Sequence, residues 1–405
     1  MEIKVHEITA KSLLRKTKRI DSWFLAAYGM NIYRGCEHNC LYCDGRAEKY
    51  QVEGEFGLEV SVKINAIDLL ERELDPKRKR TPFRKGYICI GGGVGDSYQP
   101  IEKKYKLTRQ VLELLCEKDF PVHILTKSHL VLRDIDLLKK INEKKRVIVS
   151  FSLSSARDDI GKHFEPMASS PSQRLGAAKQ LKKAGIAVGV FLLPVIPFIT
   201  DTREIITDTL EKVQNADADF IFFGGMTLKE GRQKDFFYST LGKLYPGLIP
   251  AYNSIYRNDH WGSQWGNATG EYYTTIQQTF NEAIRPYRLP QRIPPEFYVD
   301  LLDENDKVAV MLEHIDYFLK SQGKTSPYGY AAYSISQLKQ PLANMKSNLC
   351  SLKGVGKVTE RVILEILATG KSSFLEKLFA SGQGPHGMDS GVPIRPFGPT
   401  EGFFK

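Results

Sequence analysis

Three of the six cysteines fall close together in the run Tyr33-Arg34-Gly35-Cys36-Glu37-His38-Asn39-Cys40-Leu41-Tyr42-Cys43, while Cys89, Cys116 and Cys350 stand singly. A disulfide framework would spread its cysteines more evenly and would suit a smaller secreted chain. Thiolates gathered on one tight loop suit metal chemistry in a reducing cytoplasm. Two kinds of site answer to the pattern. In one, Cys36, Cys40 and Cys43 hold three corners of a cubic [4Fe-4S] cluster, and the fourth iron stays open to a small molecule. In the other they hold structural zinc, with His38 or a remote cysteine as fourth ligand. Structural zinc is usually held by two spaced pairs, and the chain has no second Cys-x-x-Cys.

Such a loop must be positioned by regular elements. Short apolar, β-branched runs recur at Asn31-Tyr33, Val60-Ile64, Tyr87-Ile90, Val122-Leu125, Val147-Phe151, Val188-Leu193 and Phe220-Phe223. Helical patterns alternate with them at Ala66-Leu74, Leu107-Glu117, Asp134-Asn142, Pro171-Ala184 and Thr202-Gln214. This rhythm predicts an α/β domain over residues 1–230 with a mostly parallel sheet. Six or so units make a partial (β/α)6 barrel, too few for a closed eight-fold one. Ligands sit at the carboxyl ends of such strands. Gly91, Gly92 and Gly93 close the Tyr87 strand there, either for close backbone approach to a ligand or as a plain turn.

Residues 231–295 are rich in Tyr, Trp, Asn and Pro and show no regular pattern. Residues 296–380 read as helical throughout, and 381–405 as a Gly/Pro-rich extended tail. The whole chain has 405 residues, 42% hydrophobic and 26% charged, which excludes wholesale disorder. Its formal net charge of +10 favours a polyanionic partner. The N-terminus, Met1-Glu2-Ile3-Lys4-Val5-His6, has no apolar core after a basic start. The longest apolar run, Ile186 to Ile199, carries Pro194 and Pro197 and is too short to span a bilayer. Secretion and membrane insertion are therefore not expected.

Cys-x-x-x-Cys-x-x-Cys after the first strand of a βα repeat resembles the radical S-adenosylmethionine (SAM) superfamily. The wider match is to its spore photoproduct lyase-like branch. It is carried by Asn31-Ile32-Tyr33-Arg34-Gly35-Cys36, Gly95-Asp96-Ser97-Tyr98-Gln99-Pro100-Ile101-Glu102, Leu107-Thr108-Arg109, Leu125-Thr126-Lys127-Ser128, Arg133-Asp134-Ile135-Asp136, Phe164-Glu165-Pro166 and Pro194-Val195-Ile196-Pro197. The resemblance implies a [4Fe-4S] cluster, S-adenosyl-L-methionine and a 5′-deoxyadenosyl radical that takes a hydrogen from the substrate. It also implies an electron donor such as flavodoxin or ferredoxin. By the same resemblance Tyr42 contacts adenine, and Gly91, Gly92 and Gly93 receive the methionine group. Lys127 pairs with the cofactor carboxylate, and Asp96 lies near the ribose. Ser150 and Ser152, at the next strand end, are candidates for ribose or carboxylate contacts.

The chain also departs from that branch. Gly93-Val94-Gly95 precedes Asp96 where the lyase carries a radical-quenching cysteine, and Asp44 stands where a tyrosine follows the third cysteine. The lyase's radical-return relay is thus expected to be absent, and its thymine-dimer reaction with it. Tyr98 is left as a candidate phenol beside the cofactor loop.

In the C-terminal part, Leu352-Lys353-Gly354-Val355-Gly356-Lys357-Val358-Thr359-Glu360-Arg361 joins two helical patterns by a glycine-rich turn. If Gly354 and Gly356 take positive φ, backbone N–H groups converge into an anion cradle, with Lys353, Lys357 and Arg361 around it. The alternative is a plain helical hairpin. The segment from Asn305 to about Leu378 looks like a helix-hairpin-helix domain, similar to the small domain of family X DNA polymerases. That implies a DNA backbone clamp. Where the polymerase-beta version carries a Schiff-base lysine, this chain has Val362, so no second enzyme is expected.

The reading is a cytoplasmic radical SAM enzyme that repairs or modifies a base in DNA. Its rivals are a radical SAM enzyme acting on RNA and a non-catalytic DNA-binding protein with a structural metal.

Overall fold

Runs of β-branched and aromatic residues fold into the parallel strands they predict. The computed structural model describes residues 3–52, 54–78, 82–92, 95–257 and 265–380. Gly93 and the tail lie outside them. The strands are β1 (Lys4–Ile8), β2 (Leu14–Lys16), β3 (Ala26–Met30), β4 (Tyr33–Arg34), β5 (Glu59–Lys63), β6 (Tyr87–Ile90), β7 (Val122–Thr126), β8 (Val147–Leu153), β9 (Ala187–Val195) and β10 (Phe220–Gly225). Among the described residues they form two sheets. The larger has the order β10-β9-β8-β7-β6-β3-β2, the smaller β1-β5-β4.

From β3 to β10 every neighbouring pair in the larger sheet is parallel. These six strands are the partial barrel. β2 pairs antiparallel with β3, Leu14 opposite Met30 and Lys16 opposite Tyr28, and closes the sheet as an edge. β8 is buried along its whole length, as a parallel strand covered on both faces must be.

Two strand expectations need correction. The Val60-Ile64 run forms β5, but in the small sheet with β1 and β4 and not in the barrel. The Asn31-Tyr33 run, read as the first strand, leaves only β4 of the small sheet; the first barrel strand is β3, Ala-Ala-Tyr-Gly-Met, whose composition is poor in β-branched residues.

The helices between the strands are α1 (Ala66–Leu74), α2 (Glu102–Tyr105), α3 (Leu107–Glu117), α4 (Ile135–Lys144), α5 (Asp158–Phe164), α6 (Pro171–Lys183) and α7 (Arg203–Asn215). α6 starts with a capping box, Ser170 with Gln173, and Pro171 in its first turn, which satisfies donors that would otherwise be orphaned. Residues 231–295, for which the sequence suggested no architecture, form α8 (Arg232–Leu244), α9 (Ile249–Ile255) and α10 (Gly270–Ile284). The C-terminal part holds α11 (Glu304–Ser321), α12 (Tyr328–Ser336), α13 (Lys357–Thr369) and α14 (Ser373–Ala380). Among the described residues no helix is long and apolar enough to cross a membrane.

The C-terminal helices dock against the amino ends of the barrel strands. Glu313 of α11 accepts from Arg19 at 2.9 Å and from the Ser22 backbone at 3.1 Å, just ahead of β3. Arg84 pairs with Asp306, and the Tyr87 hydroxyl donates to Phe297 O at 2.6 Å. Arg292 is fully buried there, its guanidinium 3.2 Å from the Tyr317 ring, 4.9 Å from Phe222 and 5.4 Å from Trp23.

Candidate active site

A cavity of about 280 Å³ opens at the carboxyl ends of the barrel strands. Cys36, Cys40 and Cys43 line it together with His38, Tyr42 and Asp44. The strand ends add Gly92, Asp96, Lys127 and Ser152, and Trp23, Phe24 and Phe191 line it as well.

The cysteine loop is held from three sides. The 96–102 segment grips one side: Gln99 accepts from Glu37 N at 2.8 Å and donates to Gly35 O at 3.3 Å. Tyr33 donates to the buried Glu102. A second side is held by Leu41 N, which donates to Phe164 O at 2.9 Å. The third is α8, where Gln233 donates to Tyr42 O at 3.0 Å. Arg46 donates to Cys40 O and Phe56 O, with the α8 ring of Phe236 3.6 Å from its guanidinium. Nothing in the spacing of Arg46 or α8 signalled this support. It depends on a chain return from far along the sequence.

Asp96 ties two strand ends together. Its carboxylate accepts from Tyr98 N at 2.8 Å, Thr126 Oγ1 at 2.8 Å and Lys127 N at 2.7 Å. His38 Nε2 lies 3.1 Å from Asp96 Oδ2, at ion-pair distance though not aligned as a hydrogen bond. Burial alone would raise the Asp96 carboxyl; His38 and these donors reverse that and hold it below the usual range.

Lys127 reaches across the same end of the barrel. Its ammonium donates to Ser152 Oγ, lies 3.7 Å from Glu165 Oε1 and 5.7 Å from the centre of the Tyr42 ring. Glu165 also accepts from the Tyr42 hydroxyl and pairs with the buried Arg174. Burial would raise Glu165, but Arg174 and then Lys127 hold it down to about 2. Tyr42, Lys127 and Ser152 are thus brought together. Glu165 and Arg174 join them without having been singled out as site residues. Glu165 sat visibly in the Phe164-Glu165-Pro166 motif, whereas Arg174 on a polar helix gave no signal.

Other candidates fall elsewhere. Ser150 does not line the cavity: its hydroxyl meets His123 Nε2 at 2.8 Å in the core. Tyr98 is fully buried and donates to Asp134 at 3.1 Å, away from the cavity lining. Burial, then Asp134, pushes its phenol well above the ordinary value. Gly91 has φ +80, and a Cβ there would meet Leu125 O at 2.5 Å. It serves the approach of β6 to β7, and only Gly92 of the described pair lines the cavity. Asp44, the departure noted beside Cys43, accepts from Thr227, Lys229, Gln233 and Tyr50. Burial opposes its charge, and Lys229 first among the rest holds its carboxyl low.

The donor set fits a cluster. Burial pushes all three thiols up, so their thiolates need the positive charge of bound metal. Among the described residues no three or more His, Cys, Asp or Glu side chains are gathered closely enough to hold one ion. A cubic cluster takes one thiolate on each of three irons, so its cysteines need not converge on a single ion. His38, the suggested fourth zinc ligand, has its Nδ1 3.3 Å from Met167 O and its Nε2 against Asp96.

At the C-terminal turn, Gly354 has φ +86, but Gly356 is extended, with φ −100 and ψ −179, at the start of α13. The expectation of two positive-φ glycines is corrected to one. Gly354 fits because a Cβ would meet Ala331 N at 2.6 Å, whereas Gly356 faces open space. Lys357 pairs with Glu360 at 3.0 Å. Lys353 lies 5.9 Å from the ring of Tyr330.

Comparison with known proteins bears on this site. The radical SAM superfamily model matches residues 30–213, which takes in all three cysteines, Asp96, Lys127 and Ser152. An uncharacterized protein of Methanocaldococcus jannaschii is 35% identical over 246 residues, 60% of this chain and 85% of its own length. One of Mycobacterium tuberculosis is 29% identical over 259 residues, covering 63% and 74%. Among solved structures, a spore photoproduct lyase variant superposes with a TM-score of 0.52 at 18% identity, covering 70% of this chain and 79% of that one. The lyase complexed with dinucleoside spore photoproduct gives 0.50 at the same identity and coverage. These likenesses show a shared fold. With the family match across the cysteine loop and a relative this similar over most of its length, the chain belongs to the radical SAM superfamily.

Proposed function

We propose that this protein is a radical SAM enzyme that repairs or modifies a base in DNA. The superfamily works with a [4Fe-4S] cluster and S-adenosylmethionine. Bound together, they supply a one-electron cleavage whose carbon radical can take a hydrogen atom. The observation that carries the reading is that one cavity is shared by three cysteines, two buried and one half-buried, with Asp96, Lys127 and an aromatic wall.

This chain's residues have distinct tasks in that cavity. Cys36, Cys40 and Cys43 would each hold one iron. Lys127 presents a cation and Asp96 a carboxylate at the strand ends. Gly92 leaves room for close approach, and Tyr42 is held in place by Glu165. Trp23, Phe24 and Phe191 keep the wall dry, which protects a reactive species from water. A one-electron donor such as flavodoxin or ferredoxin would reduce the cluster.

DNA as the substrate class is supported by the C-terminal helical turn with Lys353, Lys357 and Arg361 around it and by the fold shared with a lyase complexed with a dinucleoside photoproduct. We read residues 352–361 as a helix-hairpin-helix clamp for the backbone. A base in a duplex would have to leave the stack to reach the cavity. The missing thiol before Asp96 separates this reaction from that lyase's own.

Anaerobic reconstitution followed by incubation with deuterated oligonucleotides tests the proposal. Roughly four irons per chain and deuterium in 5′-deoxyadenosine are expected. An iron-free, colourless protein would sink the enzymatic reading. Label transferred only from RNA would move the substrate class.

A further inference from the structure

The C-terminal turn and the cavity lie at opposite ends of the barrel strands, so a clamp at one end needs a route to the other. Basic and aromatic side chains lie along the sheet edge between them. Lys353 lies 5.9 Å from the Tyr330 ring on α12. One helical step on, Tyr333 carries Arg19 5.9 Å from its own ring. Tyr330 and Tyr333 are 61% and 57% exposed, unusual for tyrosines on a packed helix. Arg15 and Lys16 lie on the edge strand, Lys18 and Arg19 follow it, and Lys11 precedes it.

β2 runs antiparallel to β3, so its Leu14 end is level with Met30, close ahead of the cysteine loop. The Arg19 end is level with the docked α11. From Lys18 back to Lys11 an extended chain covers on the order of 20 Å. Lys11, Lys16 and Lys18 are exposed and Arg15 is half-buried. Among the described residues none of the four has an ion-pair partner. Glu73, beside this stretch, accepts from the Leu13 and Leu14 backbone N–H groups.

We propose that Lys353, Tyr330, Tyr333, Arg19 and the basic edge strand β2 form a continuous track for a DNA backbone, leading from the C-terminal turn to the cavity face. Lys11, Arg15, Lys16 and Lys18 neutralise phosphates, Arg19 stays paired with Glu313 and lies by the Tyr333 ring, and the exposed rings stack on bases freed from a duplex. Lysines on an edge strand also deter sheet-to-sheet association; that role needs neither exposed aromatics in line nor a continuation into a helical turn. The inference rests on DNA being the partner.

Binding of a fluorescein-labelled, mixed-sequence duplex to the full chain over a salt series tests it. Lys16→Glu with Lys18→Glu should weaken binding regardless of sequence and lower the salt slope by about 2. Lys139→Glu with Lys140→Glu, an equal charge change on exposed α4 positions, should leave the slope near wild type. Tyr333→Ala should weaken binding to a duplex with a single-stranded gap more than to an intact one. If the β2 pair leaves the slope unchanged while Gly354→Glu lowers it, the track is wrong and the clamp stands. If the α4 pair acts equally, net charge explains the binding and the track is overturned. If wild type ignores the duplex, or structured RNA displaces it, the DNA reading itself falls.

Discussion

Asp96 Oδ2 accepts the backbone N–H of Lys127 at 2.7 Å, and so fastens the end of β7 to the segment that grips the cysteine loop. Asp96→Asn keeps the shape but replaces one acceptor oxygen with a donor. Three protein donors already point at this group, so at least one is left facing another donor. The expected cost is about 2 kcal/mol, read by denaturant unfolding. S-adenosylmethionine affinity, read by calorimetry on reconstituted protein, should fall on the order of tenfold, which is about 1.4 kcal/mol. Unchanged affinity would remove Asp96 from the binding site.

Glu165→Gln tests the buried network behind Tyr42. The substitution leaves the Arg174 guanidinium without its counter-charge in a fully buried place. Breaking one side of such a pair costs about 3–5 kcal/mol. Glu165→Gln should therefore unfold at clearly lower denaturant. Arg174→Met with Glu165→Gln should recover part of the loss.

His123 predicts a pH dependence of stability. Its Nδ1 lies 3.0 Å from Phe24 O, which can only accept, so Nδ1 carries the proton and Nε2 accepts from Ser150. Burial lowers its pKa from 6.5 to about 4. Between those values the unfolded chain binds the extra proton and the folded chain does not, so stability falls as pH drops through this window. The loss should reach about 3 kcal/mol near pH 4. His123→Asn should be less stable at neutral pH, with a flatter profile from pH 6.5 to 4. Parallel profiles would show that His123 does not titrate as its burial requires.

The two glycines of the C-terminal turn should respond differently. Gly354→Ala places a Cβ on Ala331 N at positive φ, and should cost about 1–3 kcal/mol together with DNA affinity. Gly356→Ala meets nothing within reach and should change stability by less than about 1 kcal/mol. Thermal melts and duplex binding of the two variants check this. Equal effects would contradict the turn geometry.

The cysteine loop and five of the six barrel strands were legible because each is written locally, in ligand spacing or in a β-branched run such as Val147-Phe151. β3 was not, because Ala26, Ala27 and Gly29 are weak strand formers that become a strand only between β2 and β6. Tyr98 looked available from its motif. In the fold its side chain turns inward to Asp134, and a motif does not state side-chain direction. The aromatic wall was missed for a similar reason. Trp23 and Phe24 precede β3, the first barrel strand, and only closure of the sheet brings them beside Phe191. Helices α8 to α10 escaped because their buried tyrosines and glutamines blur the usual apolar stripe.

Trp23 faces the cavity on one side and the Arg292 guanidinium on the other, with Tyr317 of α11 behind it. The boundary near residue 296 is therefore not a seam along which the chain can be cut. A fragment ending there would bare a cation and an indole that the intact protein keeps dry. Barrel and helices should melt as one, and whatever pulls on the far helices is felt in the wall of the reaction chamber.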